Sequence, residues 1–491
     1  MKIWKRILPL TLALSLLLCL VSVPSYATGG ETAAPFFSDM PDNWSTEALK
    51  NAVANGLIQG SDGKIMPDDP LTRAQMAAVI TRAFGATAMG DISGFPDVSA
   101  DDWFAASIAR AYQMGVIKGT GGKMEPLSPI SRQEVFAILA RALKLTPAYT
   151  MQKEFKDADK IAQWAKGDVY ALVNAGYVQG ADGKLDPTGL ITRVEFAQVM
   201  NNVLEQYISA PGEYTEVAAG NIMINTPGVT LKNLTVSGDL IIGDGVGSGE
   251  AILDNVKVLG RMVVRGGGKD SIIIRGSSSV DNIIVTRING VVSIKVQGNA
   301  DVDMIYIDDG SDDVIIQGAA NHIEIQASGI TVMAVGATIG NANIIGENST
   351  VIVDTDSTIR DMTVSPAAAG SNIEVSGKVG SIVTNAPNTA VTGSGTVTQV
   401  QAQSGADGSR IETPNTKIST GNNVTGVTGG GGTPVDAGST VNNNNTGTDV
   451  VPPSTGGGGI VTPTLSVTEI SVTNATTVTF KSGAEPATVT W

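Results

Sequence analysis

Five landmarks recur at the same two intervals in the N-terminal part of the chain, and this periodicity constrains the fold more than any other feature. Trp44, Trp103 and Trp164 lie 59 and 61 residues apart. The same intervals separate two glycines, one proline and one arginine in each unit: Gly56, Gly115 and Gly176; Gly60, Gly119 and Gly180; Pro67, Pro126 and Pro187; Arg73, Arg132 and Arg193. Self-similarity at a fixed period predicts three copies of one supersecondary unit.

Each unit, spanning residues 36–84, 94–145 and 154–210, is predicted to be helix, loop, helix. A Phe-x-Asp opening leads through the tryptophan into an Ala-rich amphipathic stretch, which a glycine ends. A turn with a lysine and then the proline precede a second helix, which begins at Thr72, Ser131 or Thr192. One such helix pair cannot bury its own apolar face, so we expect the three units to pack as one body.

The start of each second helix predicts an anion site. Thr/Ser-Arg-x-Glu/Gln is first a capping box, in which the hydroxyl and the acid or amide satisfy backbone amides reciprocally. Capping does not require the arginine, and the helix dipole disfavours a cation at this position. A guanidinium beside free helix amides suits an acidic ligand. The predicted ligand-binding cations are therefore Arg73, Arg132 and Arg193.

Four other recurring positions are candidates for contact with the same ligand. The tryptophans suit either a core anchor or a sugar-stacking platform. The turn lysines, Lys64, Lys123 and Lys184, are either solvated or a second set of cations. The opening acids, Asp39, Asp97 and Asp157, either accept from sugar hydroxyls or cap the first helix. The glycines of the Gly-x-x-x-Gly motif, Gly60, Gly119 and Gly180, lie beside them in sequence.

The motifs of these units together closely resemble the S-layer homology (SLH) domain, over about residues 36–210. They are Phe-x-Asp, Trp, Gly-x-x-x-Gly, Gly-x-x-x-Pro and Thr-Arg-Ala-Glu. The resemblance implies an all-α pseudo-trimer that binds a secondary cell-wall polysaccharide attached to peptidoglycan, commonly pyruvylated, in grooves between repeats. The departures from the motif are Gln75 for Glu, Ser131 for Thr, Gln133 for Ala and Val194 for Ala. They leave open which grooves are occupied.

A second region, residues 215–412, is predicted to be a parallel β-solenoid. Short Val- and Ile-rich stretches alternate apolar and polar residues around turn residues that recur every 16 to 22 positions: Gly238, Gly260, Gly276, Gly298, Gly318, Gly336, Asp356, Gly377 and Gly393. Stacked coils give such a period, whereas an antiparallel sandwich turns more often and uses Asn-Gly or Asp-Gly pairs. The region resembles segments that accompany SLH repeats in other bacterial surface proteins, which implies no activity.

The two ends of the chain have different compositions. Three basic residues, an apolar run and Ser25-Tyr26-Ala27 predict a secretory signal at 1–27. A membrane anchor is the alternative, but the run is short and is interrupted by Pro9 and Pro24. Residues 413–464, rich in Gly, Thr, Asn and Pro, predict a flexible linker, and 465–491 a partial immunoglobulin-like β segment. We therefore expect a secreted protein of the cell wall or cell surface, without a transmembrane anchor after cleavage.

Charge and residue usage exclude several function classes. Without the signal the chain has 29 Lys and Arg against 47 Asp and Glu, a net charge of −18, which opposes nucleic acid as a partner. The only histidine is His322, and the only cysteine, Cys19, lies in the signal. No His-pair zinc site and no Cys-His nucleophile can be built from them. We expect neither a metal nor another cofactor.

The solenoid raises the one serious enzymatic alternative. Parallel β-helices host polysaccharide lyases and glycosidases, and this region has an acid cluster with possible bases nearby. The acids are Asp301, Asp303, Asp308, Asp309, Asp312 and Asp313, and the bases Arg287 and Lys295. Sugar-processing clefts stack rings on aromatics, yet Tyr306 is the only aromatic residue from Thr215 to Thr479. We therefore predict a non-enzymatic anchor with the solenoid as spacer or scaffold; an adhesin stalk and self-assembly into a surface layer stay open.

Overall fold

The computed structural model describes residues 37–308 and 313–443, and the backbone of three strands between 469 and 490. The predicted signal at 1–27, Asp309 and Asp312 of the acid cluster, and residues 444–464 of the predicted linker lie outside the described residues. No helix in the described part of the chain is long and apolar enough to cross a membrane.

The helical region contains two α-helices in each predicted unit. They are α1 (Thr46–Ala54), α2 (Arg73–Phe84), α3 (Ala105–Gln113), α4 (Arg132–Ala142), α5 (Lys166–Asn174) and α6 (Arg193–Val203). The second helix of each unit begins with the predicted capping box, on Thr72, Ser131 and Thr192. The helix-loop-helix prediction is confirmed.

The three units interlock instead of standing side by side. The second helix of each packs against the first helix of the next, so that α2 meets α3, α4 meets α5 and α6 meets α1. At the centre, the amide of Leu71 donates to the carbonyl of Ile191 (3.0 Å), that of Ile191 to Ile130 (3.2 Å) and that of Ile130 to Leu71 (2.9 Å). These three side chains are fully buried. The result is a closed ring with pseudo-threefold symmetry, which no single unit can form alone.

Residues from Gln206 onward form a β-solenoid of about eleven coils. Its first strands are β1 (Gln206–Ile208), β2 (Gly212–Tyr214), β3 (Ile222–Ile224), β4 (Val229–Lys232), β5 (Thr235–Val236), β6 (Leu240–Ile242), β7 (Ala251–Asp254), β8 (Lys257–Val264), β9 (Ile272–Arg275), β10 (Ser279–Val285), β11 (Val292–Val296) and β12 (Asp301–Ile307). The later ones are β13 (Val314–Ile325), β14 (Thr331–Ile344), β15 (Thr350–Val353), β16 (Thr358–Val364), β17 (Asn372–Val375), β18 (Lys378–Thr384), β19 (Ala390–Thr392), β20 (Thr396–Ala402), β21 (Arg410–Ile411), β22 (Thr416–Thr420), β23 (Thr428–Gly429), β24 (Thr433–Pro434) and β25 (Thr440–Asn443).

Successive coils pair in parallel, as the turn period predicts. Ile283 lies beside Ile305, and Ile305 beside Ile323, on three consecutive coils. All three side chains point into the interior and are buried, within a core built mostly of Val, Ile, Leu and Ala. The alternation of apolar and polar residues thus places one face of every strand inside the coil and the other outside.

One outward-facing row of the solenoid joins it to the helices. Along the first coils this row is apolar: Met223, Ile241 and Val263 are fully buried and belong to the core of the helical region. Beyond the helices the same row becomes polar, with Glu324 and then Asn343 in register. The helical body and the first coils therefore share a core.

The predicted linker begins about thirty residues too early, because 413–443 completes the solenoid. β22 pairs in parallel with β20 and antiparallel with β25, and β24 folds back on β23. Asn443 is buried, and its side chain donates to the carbonyl of Thr413 (2.7 Å) and accepts from the amide of Gly430 (3.0 Å). Gly, Thr and Asn supply the corners and ladders of these last coils, so the composition typical of a linker is here typical of tight turns.

The C-terminal segment is a separate unit. Three strands, β26 (Glu469–Asn474), β27 (Thr477–Ser482) and β28 (Glu485–Thr490), form an antiparallel sheet. The β prediction for this segment agrees with these strands, and its likeness to part of an immunoglobulin-like sandwich stays a prediction.

A truncation tests whether 413–443 is structural. We expect a chain ending after residue 412 to melt several degrees below one ending after residue 447 and to self-associate, because it exposes the open end of the solenoid. Thermal unfolding and size-exclusion chromatography compare the two chains. Identical melting and identical size would contradict the extended solenoid and support the linker.

Candidate functional site

The helix starts where an anion site was predicted have no free amides in their first turn. The first amide of each second helix donates to a carbonyl of the next unit: Arg73 to Ser128 (3.0 Å), Arg132 to Gly189 (2.9 Å) and Arg193 to Asp69 (3.0 Å). The second amides do the same, from Ala74 to Pro126 (2.8 Å), Gln133 to Pro187 (2.9 Å) and Val194 to Pro67 (2.9 Å). The hydroxyls of Thr72 and Thr192 accept from the third amides of α2 and α6, and the Ser131 hydroxyl donates to the Glu134 carboxylate (2.6 Å). The prediction of anion sites on free amides is therefore wrong.

The Arg73 side chain is buried in the joint between the first and second units. Its Nε donates to the carbonyl of Met124 (2.8 Å), its Nη2 to that of Lys118 (3.0 Å) and its Nη1 to the carboxylate of Glu134 (2.6 Å). Only 8% of the residue is exposed. Arg73 therefore links the first unit to the second. This contact explains the arginine at a position where capping alone does not require one.

Arg193 repeats this arrangement between the third and first units with one change. Its Nε and Nη2 donate to the carbonyls of Ile65 and Gln59, both at 2.7 Å. The position that corresponds to Glu134 is Gln75, so this joint has no carboxylate from the capping box. Burial lowers the pKa of the Arg193 guanidinium, partly offset by the charge of Asp69. The motif departure at Gln75 thus leaves a buried arginine without the carboxylate that its counterpart has.

Arg132, between the second and third units, is oriented differently. Its guanidinium donates to the carbonyl of Leu190 (3.0 Å), pairs with Glu195, and lies 3.6 Å from a carboxylate oxygen of Asp186. Its side chain is 19% exposed, about twice the fraction for Arg73. Arg132 is therefore the most accessible of the three arginines, although it too is paired.

The three opening acids hold a turn in place. Both carboxylate oxygens of Asp39 accept backbone amides, from Ile65 (2.7 Å) and Met66 (2.8 Å). Asp97 and Asp157 make the same pair of bonds in their units. Burial alone would raise the pKa of Asp39, but these hydrogen bonds outweigh it and lower that pKa. These bonds give the opening acids a structural role in the turn, while the N-cap of α1 is Ser45; contact of the acids with a sugar stays a prediction.

The Gly-x-x-x-Gly glycines make room for the phenylalanine of the same unit. A Cβ at Gly60 would overlap the ring of Phe37 and the carbonyl of Lys64, and Gly119 and Gly180 are crowded in the same way by Phe95 and Phe155. Phe37 and Phe155 are buried. Close packing explains these glycines, so their predicted contact with a ligand has no geometric support.

The tryptophans and turn lysines are the recurring candidates that face solvent. Trp44 and Trp103 are each 65% exposed and Trp164 is 56% exposed, so the core-anchor alternative is wrong for all three. Trp103 touches one neighbouring ring, edge to face with Phe104 at 5.4 Å. Lys64, Lys123 and Lys184 lie exposed in the turns. Each unit therefore presents one indole and one ammonium on its surface.

The acids of the solenoid do not form a metal site in the described part of the chain. Asp308 pairs with Lys144 of the helical region (2.9 Å), and Asp303 accepts from Asn321 (3.2 Å). His322 Nδ1 lies 3.4 Å from Asp303. Of the two predicted bases, Arg287 donates to the carbonyl of Gly290 (2.8 Å). Lys295 is half-buried on a strand.

The direction of the inter-unit contacts was not predicted. The motif has an arginine and, two residues later, an acid or amide, and the sequence alone assigns both to one helix start. In the structure each arginine reaches across to the next unit, and Arg73 and Arg132 pair there with its acid. One weak signal was present in the sequence: Gln75 is the only amide among the three positions, and its joint is the one in which the arginine lacks that carboxylate.

Comparison with known proteins agrees with the repeat geometry. The family model of the S-layer homology domain matches residues 36–77, 94–136 and 154–197. The chain therefore carries three SLH repeats.

Similar proteins include a surface-layer 125 kDa protein of Lysinibacillus sphaericus, 33% identical over 174 residues, and an S-layer protein of Bacillus anthracis, 29% identical over 209. An exoglucanase of Acetivibrio thermocellus is 30% identical over 176 residues. These matches cover 34%, 42% and 35% of this chain but only 15%, 25% and 16% of those proteins. The repeats and the S-layer relatives indicate a secreted protein of the cell surface.

Restoring the missing carboxylate tests the arginine contacts. We expect Gln75→Glu to raise the free energy of unfolding of the helical region by about 1 kcal/mol, because the new carboxylate would give Arg193 a charge-assisted bond and place an acid in the first turn of α2. Denaturant unfolding followed by helical circular dichroism measures the change. Gln163→Glu, the same change of charge at an exposed residue of the third repeat, is the control. Equal stability of the two variants would contradict the proposed joint.

Proposed function

We propose that the three repeats attach this secreted protein non-covalently to a cell-wall polysaccharide by stacking sugar rings on Trp44, Trp103 and Trp164. The observation that carries the proposal is their exposure: an indole more than half exposed in every repeat is not explained by packing. Tryptophan offers a large apolar face with a polar N–H, which suits a sugar ring that has both kinds of surface.

A charged polymer suits the rest of the surface. Lys64, Lys123 and Lys184 place one exposed ammonium in each repeat, and Arg132 adds a partly exposed guanidinium. On a chain with a formal net charge of −15, these cations are local attachment points for acidic groups. The polymer that fits best is one with carboxylates, such as a pyruvylated secondary wall polysaccharide. Arg73 and Arg193, which are buried, instead hold the repeats together.

Three weak sites on one rigid body increase the overall affinity. Because the repeats close into a ring, binding at one site brings the others close to the same polymer, and the second and third contacts become intramolecular. Wall attachment by this route needs no covalent link and no cofactor.

We propose a structural role for the solenoid, as a spacer or scaffold beyond the wall-binding repeats. Two of the acids that suggested a lyase or glycosidase are engaged in ordinary contacts, Asp308 with Lys144 and Asp303 with Asn321. The exoglucanase similarity covers 176 residues, 35% of this chain, a span that three SLH repeats account for. It therefore supports a shared anchor and gives no reason to assign sugar hydrolysis to the coils.

The triple variant Trp44→Ala, Trp103→Ala, Trp164→Ala tests the attachment. We expect at least about tenfold weaker sedimentation of the mature chain with purified cell walls, because three stacking contacts are lost together. Circular dichroism should be unchanged, since the indoles are exposed. Tyr149→Ala removes an aromatic side chain that is 99% exposed and not repeated, and it should sediment as the unmodified chain does.

Undiminished sedimentation of the triple variant would refute the indole sites. Walls stripped of pyruvyl groups provide a separate arm: we expect them to bind less of the unmodified chain, and equal binding would exclude the pyruvyl group as the recognised acid.

A further inference from the structure

A cleft of about 840 Å³ lies between the second and third repeats and the flank of the solenoid. Gly115, Lys118 and Leu145 line the helical wall, while Asn282, Tyr306 and Gln326 line the solenoid wall. This volume falls within the range of about 300–1,000 Å³ that is usual for small-molecule sites. The cleft is lined neither by the exposed tryptophans nor by Arg73, Arg132 or Arg193; it borders the Arg73 joint at Lys118, whose carbonyl accepts from Arg73.

One ion pair and hydrogen bonds to backbone carbonyls join the two walls of the cleft. Arg261 of the solenoid donates to the carbonyl of Lys144 (2.6 Å), near the C-terminal end of α4, and pairs with Asp239 (2.5 Å). Lys144 pairs with Asp308 on the solenoid (2.9 Å). A preformed site loses less conformational entropy when it binds a ligand.

Tyr306 is an outward-facing aromatic residue of the solenoid that lines the cleft opposite the second repeat. It follows Val263 and Ile284 in the outward row and precedes Glu324. Val263 is buried beneath the helices, so Tyr306 lies at the edge of the shared core with its ring half-buried. In the part of the chain that the structure describes, its hydroxyl has no hydrogen-bond partner. A half-buried ring with an unpaired hydroxyl is a suitable platform for a polar, ring-shaped ligand.

The charges of the cleft favour an anionic ligand. Among the described residues, four basic and two acidic side chains line it. Arg141 and Lys144 pair with the two acids, and Arg261 with Asp239. Lys118 is exposed and forms no ion pair with the described residues. The other two repeats have Gln59 and Gln179 at this position, so only the second repeat places a cation here.

The cleft also continues onto the surface of the second repeat. A neighbouring furrow of about 560 Å³ shares Gly115 and Lys118 with it and extends past Tyr112 to Gly119 and Gly122. A linear polymer bound on the repeat surface therefore has an open path into the cleft.

We infer that this cleft is a further glycan site, which takes a short segment of an acidic polysaccharide. A sugar ring packs on Tyr306, the Asn282 and Gln326 side-chain amides bond its hydroxyls, and Lys118 binds a carboxylate. A peptide fits less well, because β10 and β12 are paired on both sides and offer no free strand edge. The inference rests on the proposed wall attachment only for the source of the glycan.

Binding of short fragments of purified wall polysaccharide, measured by calorimetry on the full chain, tests the site. The background is the triple tryptophan variant, which removes the proposed surface sites. In that background we expect a remaining weak site that Tyr306→Ala weakens at least about tenfold and Lys118→Gln about fivefold. Tyr306→Phe keeps the ring and should lose much less. Val383→Ala, a later position of the same outward row, is the control and should have no effect.

The outcomes separate the two proposals. If the triple tryptophan variant binds no fragments while the unmodified chain does, the cleft site is overturned and wall attachment stands. If Tyr306→Ala and Lys118→Gln leave the remaining binding unchanged, the cleft site is again overturned. Equal binding of an oligoglutamate peptide of matched charge would show attraction by charge alone and would exclude a glycan-specific site.

Discussion

The helical region depends on one constraint: each repeat must use its neighbour's backbone to complete its own helix. The first amides of α2, α4 and α6 donate to carbonyls of the following repeat, and the amides of Leu71, Ile130 and Ile191 close a ring of three hydrogen bonds at the centre. A buried amide without a partner costs free energy comparable to a lost hydrogen bond, so an isolated repeat would leave several such groups unsatisfied. The arginines complete this arrangement by donating to the same neighbour whose carbonyls receive the helix amides.

Closure of the ring determines what the surface can do. The helix amides, the opening acids and two of the three arginines hold the repeats together. Recognition therefore depends on groups that assembly leaves exposed, among them the indole and the turn lysine that recur in each repeat. Packing limits the accessible surface in the same way where the helices meet the solenoid. Met223, Ile241 and Val263 are buried in the shared core, and the outward row becomes accessible only from Ile284 and Tyr306 onward, where the cleft opens. The proposed binding surfaces of this protein thus consist of residues that packing between the repeats and the solenoid leaves accessible.

Local patterns in the sequence predicted the elements of the fold well. The capping boxes at Thr72, Ser131 and Thr192 fixed where the second helices begin, and the recurrence of turn glycines predicted the coils of the solenoid. Partners across repeats could not be predicted, because a motif shows which groups are present and not which neighbour satisfies them. Arg73 therefore looked like a free cation, although it is buried against Glu134. Composition led to the wrong prediction of a linker at 413–443, because solenoid corners and flexible linkers use the same small polar residues. The pairing of β22 with β20 distinguishes the two.

Native-state hydrogen exchange on the full chain tests the central claim most directly. If the repeats form one closed body, the amides of Leu71, Ile130 and Ile191 should exchange only through unfolding of the whole helical region, all three with the same free energy and the same denaturant dependence. If one of them exchanged at a clearly lower free energy than the other two, that repeat would open independently, and an interlocked ring of three would be contradicted.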